Sequence, residues 1–389
     1  MLYYLSAKTD HFTWLNIFRY VTFRAFMGAG TAFGLSLLLG RWMIARLRDF
    51  NIGQVVRQEE EVDSMLQHHK RKAGTPTMGG LLILFATFVA TALWCRTSNP
   101  QVWIAMGTML FMGGVGFADD WLKLRKRHSG GLKEWQKLAL QCGWVILMFL
   151  AIEAVPGTRV YARQLMVPFL KAPLAAHLPV WVAVAIMFGV LVGTTNAVNL
   201  TDGLDGLAAG CMGSVSAAYL ALAYVAGHLT MATYLQVPSV SGAHELAVFC
   251  GCLLGAVLGF LWWNAYPAKV FMGDTGSLAL GGAIAMVAIL IKHELTLVIV
   301  GLVFVVEAGS VLIQRGACKL HRWRTGELLA QERRPFRMTP IHHHFELISK
   351  DRARAEGRSP EAAENTVVIR FWIVSIVCAL LGLATLKVR

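Results

Sequence analysis

Long apolar segments separated by polar loops dominate this 389-residue sequence and restrict its fold more than any other feature. A transmembrane helix needs about 20 mainly apolar residues, because the hydrocarbon core of a bilayer is about 30 Å thick. Of all residues, 56% are hydrophobic and only 15% are charged. Since only helices and closed barrels satisfy their backbone hydrogen bonds in lipid, we predict an all-α integral membrane protein with a single polytopic domain, residues 1–389. About ten transmembrane helices are expected, at residues 20–44, 77–95, 102–118, 135–155, 178–198, 207–226, 244–264, 277–291, 295–313 and 367–386.

The basic residues predict how these helices are oriented. Most Lys and Arg residues outside the apolar segments lie in alternate loops, whereas the other loops hold only scattered ones. The positive-inside rule places the basic loops in the cytoplasm and both termini on the outer, periplasmic side. The formal net charge of +13 is therefore interpreted as a topology signal and not as a nucleic-acid-binding surface. The predicted cytoplasmic loops are residues 45–76, 119–134, 199–206, 265–276 and 314–366.

Two adjacent carboxylates, Asp119 and Asp120, end one of the apolar segments. Ionised side chains at the end of a membrane-length segment are costly and often functional. Neighbouring residues on a helix point in different directions. One carboxylate can therefore face a metal ion or an acceptor while the other faces solvent or a basic partner such as Lys123 or Lys133. A solvated turn at the membrane surface is the alternative interpretation.

A second polar stretch, residues 199–206, follows the fifth apolar segment. Asn199, Asp202 and Asp205 recur at three-residue spacing and are interleaved with glycines. Glycines let the backbone approach a ligand closely, and the polar side chains supply donors and acceptors. A helix cap followed by a turn explains one Asp and one Gly but not the whole set, so we predict a binding site here.

A third stretch, residues 271–277, reads Phe-Met-Gly-Asp-Thr-Gly-Ser and leads directly into an apolar segment. The free N–H groups and the dipole of a helix start suit an anion such as phosphate. Asp274 could hold a hard cation that bridges to such an anion. Simple capping of the helix is the alternative.

Three consecutive histidines, His342, His343 and His344, suggest a zinc site at first. Consecutive residues do not converge on one point, and no HExxH motif is present. Imidazole contacts to phosphate or sugar are the favoured interpretation, and an ordinary polar loop is the alternative. A basic cluster that begins at Lys70 precedes the sequence GTPTMGG, and anionic lipid headgroups would bind such a cluster by charge alone.

Carboxylates, lysines, histidines and a helix start suited to phosphate thus lie in loops on one predicted side of the membrane. Carboxylates with a hard metal ion suit chemistry on a diphosphate, in which Mg²⁺ neutralises charge on the leaving group. An acceptor dissolved in the bilayer would explain why such a site is built at the membrane surface.

Five motifs, in this order, resemble those of bacterial phospho-N-acetylmuramoyl-pentapeptide transferases: KAGTPTMGG at 72–80, GFADDWLK at 116–123, NAVNLTDGLDGLAAG at 196–210, NAYPAKVFMGDTGS at 264–277 and TPIHHHFEL at 339–347. The resemblance implies a multi-pass enzyme of the bacterial inner membrane with ten helices, periplasmic termini and an active site in the cytoplasmic loops. It implies Mg²⁺-dependent transfer of phospho-MurNAc-pentapeptide from UDP-MurNAc-pentapeptide to undecaprenyl phosphate, which yields lipid I and UMP. A homodimer surrounded by membrane lipids is also expected from the family.

The resemblance also implies roles for individual residues. The catalytic set is Asp119, Asp120, Asp274 and His343, with Asp274 as the metal ligand. Uracil contacts are expected from Lys70, Asp205 and Phe271. Further substrate contacts are expected from Lys133, Asn199, Asp202, Asn264, Gln314, His342 and His344. Residues 348–364 depart from the family's usual continuation, so no role is carried over beyond Glu346.

Two other functions compete with this one. A sister enzyme would transfer a different phospho-sugar, such as phospho-GlcNAc, to the same kind of polyprenyl phosphate. The triple histidine followed by Phe-Glu-Leu favours the muramoyl-pentapeptide branch. An ion-coupled transporter would need carboxylates near the middle of the bilayer, whereas the carboxylates here cluster at the ends of segments.

Overall fold

The computed structural model describes residues 1–8, 13–49, 75–126, 130–357 and 361–387. Lys70 and the basic cluster around it lie outside the described residues. Within them, regular structure is helical apart from isolated bridges, such as the antiparallel one between Leu165 and Ala175. Short 3-10 helices cover Leu2–Lys8, Thr13–Arg19 and Gln331–Arg333. The α-helices are α1 Val21–Asp49, α2 Gly80–Trp94, α3 Pro100–Lys126, α4 Glu134–Ala154, α5 Pro156–Arg159, α6 Val180–Thr201, α7 Leu207–Ala226, α8 Leu229–Leu235, α9 His244–Asn264, α10 Gly273–Leu290, α11 Thr296–Val300, α12 Leu302–Thr325, α13 Ile341–Ala355 and α14 Glu361–Ala384.

The prediction of an all-α integral membrane protein is confirmed. In the described residues, 8 helices are long and apolar enough to cross a bilayer, namely α1, α3, α4, α6, α7, α9, α10 and α14. The predicted segment 77–95 corresponds to α2, which is apolar but has only 15 residues. The predicted segment 295–313 is divided at Gly301 into α11 and the more polar α12. The count of ten spans and the periplasmic location of both termini stay predictions.

Helix α10 lies at the centre of the bundle, and every residue from Thr275 to Leu290 is buried. It packs against α3, α6 and α2, while α9, which precedes it in the chain, packs against α1 and α7. Small residues make these close contacts feasible: a Cβ on Gly281 would lie 2.6 Å from the Cα of Thr195 in α6. In a bilayer, such van der Waals packing replaces the hydrophobic effect as the main force between helices.

The same packing brings together the ends of helices that are far apart in sequence. Hydrogen bonds and ion pairs join the C-terminal parts of α3 and α6 to the first turns of α4 and α10. The predicted motifs at Asp119, Asn199 and Asp274 lie on these helix ends. The candidate site is therefore located at one end of the bundle and not in the middle of its apolar core.

Candidate active site

The first turn of α10 is held by a carboxylate from α3. Asp120 accepts hydrogen bonds from the backbone N–H of Thr275 at 3.0 Å and of Asp274 at 3.3 Å, and from the Thr275 hydroxyl at 2.7 Å. The helix start that was expected to bind phosphate thus already has an anion on two of its N–H groups. Asp120 is buried, and its interactions position Asp274.

The glycine-rich loop before α2 supports the same helix start from another side. The N–H of Phe271 donates to the carbonyl of Pro76, and the N–H of Gly79 donates to the carbonyl of Phe271, both at 2.8 Å. The N–H of Gly80 donates to the carbonyl of Met272 at 2.9 Å. A Cβ on Gly80 would lie 2.9 Å from the carbonyl carbon of Thr275 and closer still to Gly276. The described part of GTPTMGG therefore fixes the backbone on which Asp274 sits.

Two carboxylates and two lysines form the centre of the site. The ammonium of Lys123 lies 2.6 Å from Asp119 Oδ2 and 3.1 Å from Asp274 Oδ2. The ammonium of Lys137 lies 2.9 Å from each of the same two oxygens. The other oxygen of Asp119 accepts a hydrogen bond from the N–H of Leu132 at 2.7 Å. Both lysines thus bridge Asp119 and Asp274, and each remains partly accessible from outside.

The donor set of this cluster suits a hard divalent cation. One oxygen each from Asp119, Asp120 and Asp274 lies within 4.8 Å of the others. Among the described residues, Asp119 Oδ2 is buried and accepts no hydrogen bond of regular geometry, although both ammonium groups face it. Carboxylate oxygens are the ligands that Mg²⁺ prefers. The three carboxylates therefore fit a divalent metal ion, with Asp274 the most accessible of them.

Asn199 and Asp202, at the end of α6, border the carboxylate cluster. The amide of Asn199 donates to Asp274 Oδ1 and to the Ser277 hydroxyl, both at 2.8 Å. Asp202 is the residue that follows α6 and is half-buried. Burial, and then the negative charges of Asp274 and other nearby carboxylates, raise the pKa of Asp202 to about 7. Asp202 can therefore carry a proton near neutral pH, unlike an ordinary aspartate.

Asp205 and Asn264 hold the loop that leads into α10. Asn264 accepts from the N–H of Gly206 at 3.1 Å and donates to the carbonyl of Val270 at 2.9 Å. Asp205 accepts from the N–H of Ala268 at 3.0 Å. Both side chains are buried, and these contacts place the loop; their predicted contacts to substrate stay predictions. Phe271, which this loop carries, is half-buried.

The three histidines have three different environments on α13. His342 is fully buried, and its Nδ1 lies 3.0 Å from Glu307 Oε2 in α12. Its Nε2 is the atom nearest to the position that a Cβ on Gly203 would take. Burial lowers the pKa of His342, while the hydrogen bond to Glu307 opposes this effect. His342 is therefore a neutral imidazole, and it packs against Gly203.

His343 is more accessible and lies on the same side as Gly203. Its Nδ1 is 2.9 Å from Glu346 Oε2, and its Nε2 would be 3.3 Å from a Cβ on Gly203. Burial alone would raise the pKa of Glu346, but the hydrogen bond to His343 and the ammonium of Lys350 outweigh it and hold this pKa at about 2. Glu346 thus stays ionised and fixes the ring of His343.

Comparison with known proteins identifies the family. The signature described as Phospho-N-acetylmuramoyl-pentapeptide-transferase signature 1 matches residues 72–84, and the family Glycosyl transferase family 4 matches residues 102–292. The chain is 44% identical over 390 residues to the phospho-N-acetylmuramoyl-pentapeptide-transferase of Methylacidiphilum infernorum, with 100% of both chains covered. It is 46% identical to the protein of the same name from Desulfotalea psychrophila, with 97% of both covered. The chain belongs to the phospho-N-acetylmuramoyl-pentapeptide-transferase family. It is therefore a multi-pass membrane transferase.

The predicted site residues lie in different parts of the fold. Asp119, Asp120, Asp274 and Asn199 lie in one cluster, and Gly203, which follows Asp202, packs against the ring edges of His342 and His343. Gln314 and His344 lie further along α12 and α13. Gln314 Oε1 accepts from the N–H of Phe336 at 3.1 Å, and His344 Nδ1 accepts from the N–H of Arg337 at 3.2 Å. These two side chains hold the segment between the helices.

Lys137 lies at the cluster, but the sequence analysis did not identify this lysine. The predicted residue, Lys133, precedes α4, is exposed, and donates its backbone N–H to Gln136 Oε1 at 3.0 Å. Lys137 is one helical turn further along, so both were candidates on the same face of α4. The signal in the sequence was this spacing, but only the packing of α4 shows which ammonium reaches the carboxylates.

Proposed function

We propose that the protein transfers phospho-MurNAc-pentapeptide from UDP-MurNAc-pentapeptide to undecaprenyl phosphate at the bacterial inner (cytoplasmic) membrane, forming lipid I and releasing UMP. The observation that carries the proposal is the Asp119, Asp274, Lys123 and Lys137 cluster, in a chain related over its whole length to phospho-N-acetylmuramoyl-pentapeptide-transferases. This cluster lies at the ends of helices, which suits a reaction between a water-soluble nucleotide and a lipid. In this proposal, residues 1–389 act as one polytopic domain.

The proposed cofactor is Mg²⁺, held by Asp274 with help from Asp119 and Asp120. When bound, Mg²⁺ neutralises charge on the diphosphate and on the departing UMP. Asn199 keeps one oxygen of Asp274 in place through its amide, and Asp120 fixes the backbone beneath it. These contacts prepare the ligand geometry before any substrate arrives.

The proposed reaction is a direct attack. Asp119 accepts the proton of the undecaprenyl phosphate, and an oxygen of that phosphate attacks the β-phosphorus of the nucleotide-sugar. The new P–O bond forms as the bond between the β-phosphorus and the bridging oxygen breaks, and UMP leaves with that oxygen. Lys123 and Lys137 lie within 3.1 Å of both catalytic carboxylates, where they can also stabilise charge on phosphate oxygens.

A two-step scheme is the rival, in which a carboxylate attacks first and forms a phospho-sugar–enzyme intermediate. The two schemes differ in what happens without the lipid. Release of UMP from UDP-MurNAc-pentapeptide in the absence of undecaprenyl phosphate, or trapping of a covalent adduct, would reject direct attack.

The function itself is tested by an assay of UMP release in detergent. The purified protein is mixed with undecaprenyl phosphate, Mg²⁺ and either UDP-MurNAc-pentapeptide or UDP-GlcNAc. We expect turnover with the muramoyl donor, loss of turnover with a chelator, and recovery when Mg²⁺ is restored. Preference for UDP-GlcNAc would instead favour the sister phospho-GlcNAc transferase, and no release from either donor would reject both.

A further inference from the structure

A basic segment next to the histidines has no role in the reaction described above. Residues 331–337, called the arginine segment below, include the 3-10 helix Gln331–Arg333 and end shortly before α13. They contain Arg333, Arg334 and Arg337. All three side chains are exposed. Within the described residues, no carboxylate forms an ion pair with Arg333 or Arg334, whereas Arg337 pairs with Asp351 at 2.7 Å.

The segment is held at the edge of the candidate active site. The N–H of Phe336 donates to Gln314, and the N–H of Arg337 donates to His344, which follows His343 directly. The Phe336 and His344 rings also meet edge to face, with their centroids 5.8 Å apart. The side chains of Gln314 and His344 thus hold the arginine segment in place, and their contacts to substrate stay predictions.

The three arginines are exposed in a segment that has no exposed large apolar side chain of its own. Large apolar side chains are exposed along α12, with Leu312 at 71% and Trp323 at 82%, as expected for a surface that meets lipid. Within residues 331–337 no large apolar side chain is exposed, whereas Leu328 and Phe345, on either side of this segment in the chain, are exposed at 81% and 43%. Anionic headgroups can bind basic residues by charge alone, so the experiment below includes a comparison of lipids. The contacts with Gln314 and His344 place the arginine segment beside the histidines, where it can reach a substrate bound at the candidate site.

We propose that Arg333, Arg334 and Arg337 bind carboxylate groups of the peptide carried by the donor substrate. This inference rests on the proposed function, because it assigns a subsite to one part of UDP-MurNAc-pentapeptide. Arginine pairs with carboxylates through two parallel hydrogen bonds, and a peptide offers at least its terminal carboxylate. The ion pair between Arg337 and Asp351 is more than half exposed on both sides, so it is weak enough for a substrate carboxylate to replace Asp351.

The test compares ligands that share the nucleotide-sugar but differ in peptide charge. Dissociation constants are measured by calorimetry for UDP-MurNAc-pentapeptide, for the same molecule with a C-terminal amide, and for UDP-MurNAc. The proteins are wild type, Arg333→Gln/Arg334→Gln and Arg337→Gln, each full-length in phosphatidylcholine nanodiscs. The matched control is Arg322→Gln/Arg324→Gln, which removes two exposed arginines from α12.

We expect the Arg333→Gln/Arg334→Gln variant to bind UDP-MurNAc-pentapeptide about fivefold to tenfold more weakly, as for the loss of two exposed charge pairs. Binding of UDP-MurNAc should be unchanged in every variant, and the control should resemble wild type with all three ligands. Wild type should discriminate against the C-terminal amide if the terminal carboxylate is the one bound, and the variants should discriminate less. Added salt should weaken pentapeptide binding more in wild type than in the variant.

Equal weakening for UDP-MurNAc and UDP-MurNAc-pentapeptide would overturn the inference, because the arginines would then act on the shared nucleotide-sugar. An unchanged dissociation constant for the pentapeptide donor would also overturn it. An effect seen only after phosphatidylglycerol is added to the nanodiscs would assign the arginines to lipid headgroups instead. Failure of wild type to release UMP would count against the proposed function, while the binding comparison would still decide this inference.

Discussion

Gly116, one turn before the carboxylate pair, is where α3 crosses the start of α10, and we expect the substitution Gly116→Ala to inactivate the enzyme. A Cβ at this position would lie 2.6 Å from the backbone N of Thr275 and closer still to the carbonyl of Asp274. An ordinary contact is about 3.4 Å, so α10 must move by at least about 0.8 Å relative to α3. The atoms in the way are backbone, so no side-chain rotation relieves the clash.

This movement separates Asp274 from the carboxylates of α3. A misplacement of about 1 Å in a catalytic group typically costs about 10²-fold in rate, so we expect kcat for UMP release to fall by about that factor. Overpacking should also lower the stability by about 1–3 kcal/mol, partly offset by about 1 kcal/mol because alanine favours helix. Rate and thermal unfolding are both measured in the same detergent.

Gly114→Ala is the matched control. It lies on the same helix, and nothing lies within 4 Å of the position its Cβ would take. It therefore gains the same helix propensity without the clash, and we expect nearly wild-type turnover. If Gly116→Ala retains a kcat within about threefold of Gly114→Ala, then the close approach of α3 and α10 does not set the geometry of the site, and our reasoning is wrong.

Four further predictions concern single groups. Asp274→Asn should abolish Mg²⁺-dependent transfer in a protein that still folds in detergent; near-normal turnover would remove this residue from the metal site. Lys137→Gln should lower kcat by at least about tenfold, because its ammonium contacts both central carboxylates, whereas Lys133→Gln should stay within about twofold; the reverse order would refute the assignment. Phe271→Ala should weaken nucleotide binding more than it slows the reaction, and an unchanged affinity would argue against stacking on uracil. The pKa of His342 is lowered in the folded protein, so below about pH 6.5 the unfolded chain binds more protons and stability falls. The unfolding temperature of wild type should therefore drop more than that of His342→Asn between about pH 7.5 and about pH 5.5, and equal drops would contradict this explanation.

Much of the fold could be predicted from the sequence, because hydropathy and loop charge are local properties. Helices α6, α7 and α9 begin and end within about three residues of their predicted bounds. The position of the motifs at Asp119, Asn199 and Asp274 at helix ends was also visible, since each of these motifs directly follows or precedes an apolar segment. Segment 295–313 was harder: the break at Gly301 leaves no change in hydropathy, and the polar residues after 313 mark the end of the apolar segment but not the end of α12, which continues to Thr325.

The sequence by itself determined which chemistry this protein can support: carboxylates, lysines and histidines at one end of a helical bundle in a membrane. The tertiary structure alone decided what each group does, because the deciding contacts join residues far apart in the chain. Asp120 caps a helix because α3 crosses α10, Lys137 reaches the carboxylates because of how α4 packs, and Asn264 bridges two backbone segments. The substrate contacts expected of Lys133 and Asn264 stay predictions. A motif specifies the atoms available, but a hydrogen bond needs about 3 Å between specific atoms, and only the packed bundle sets that distance.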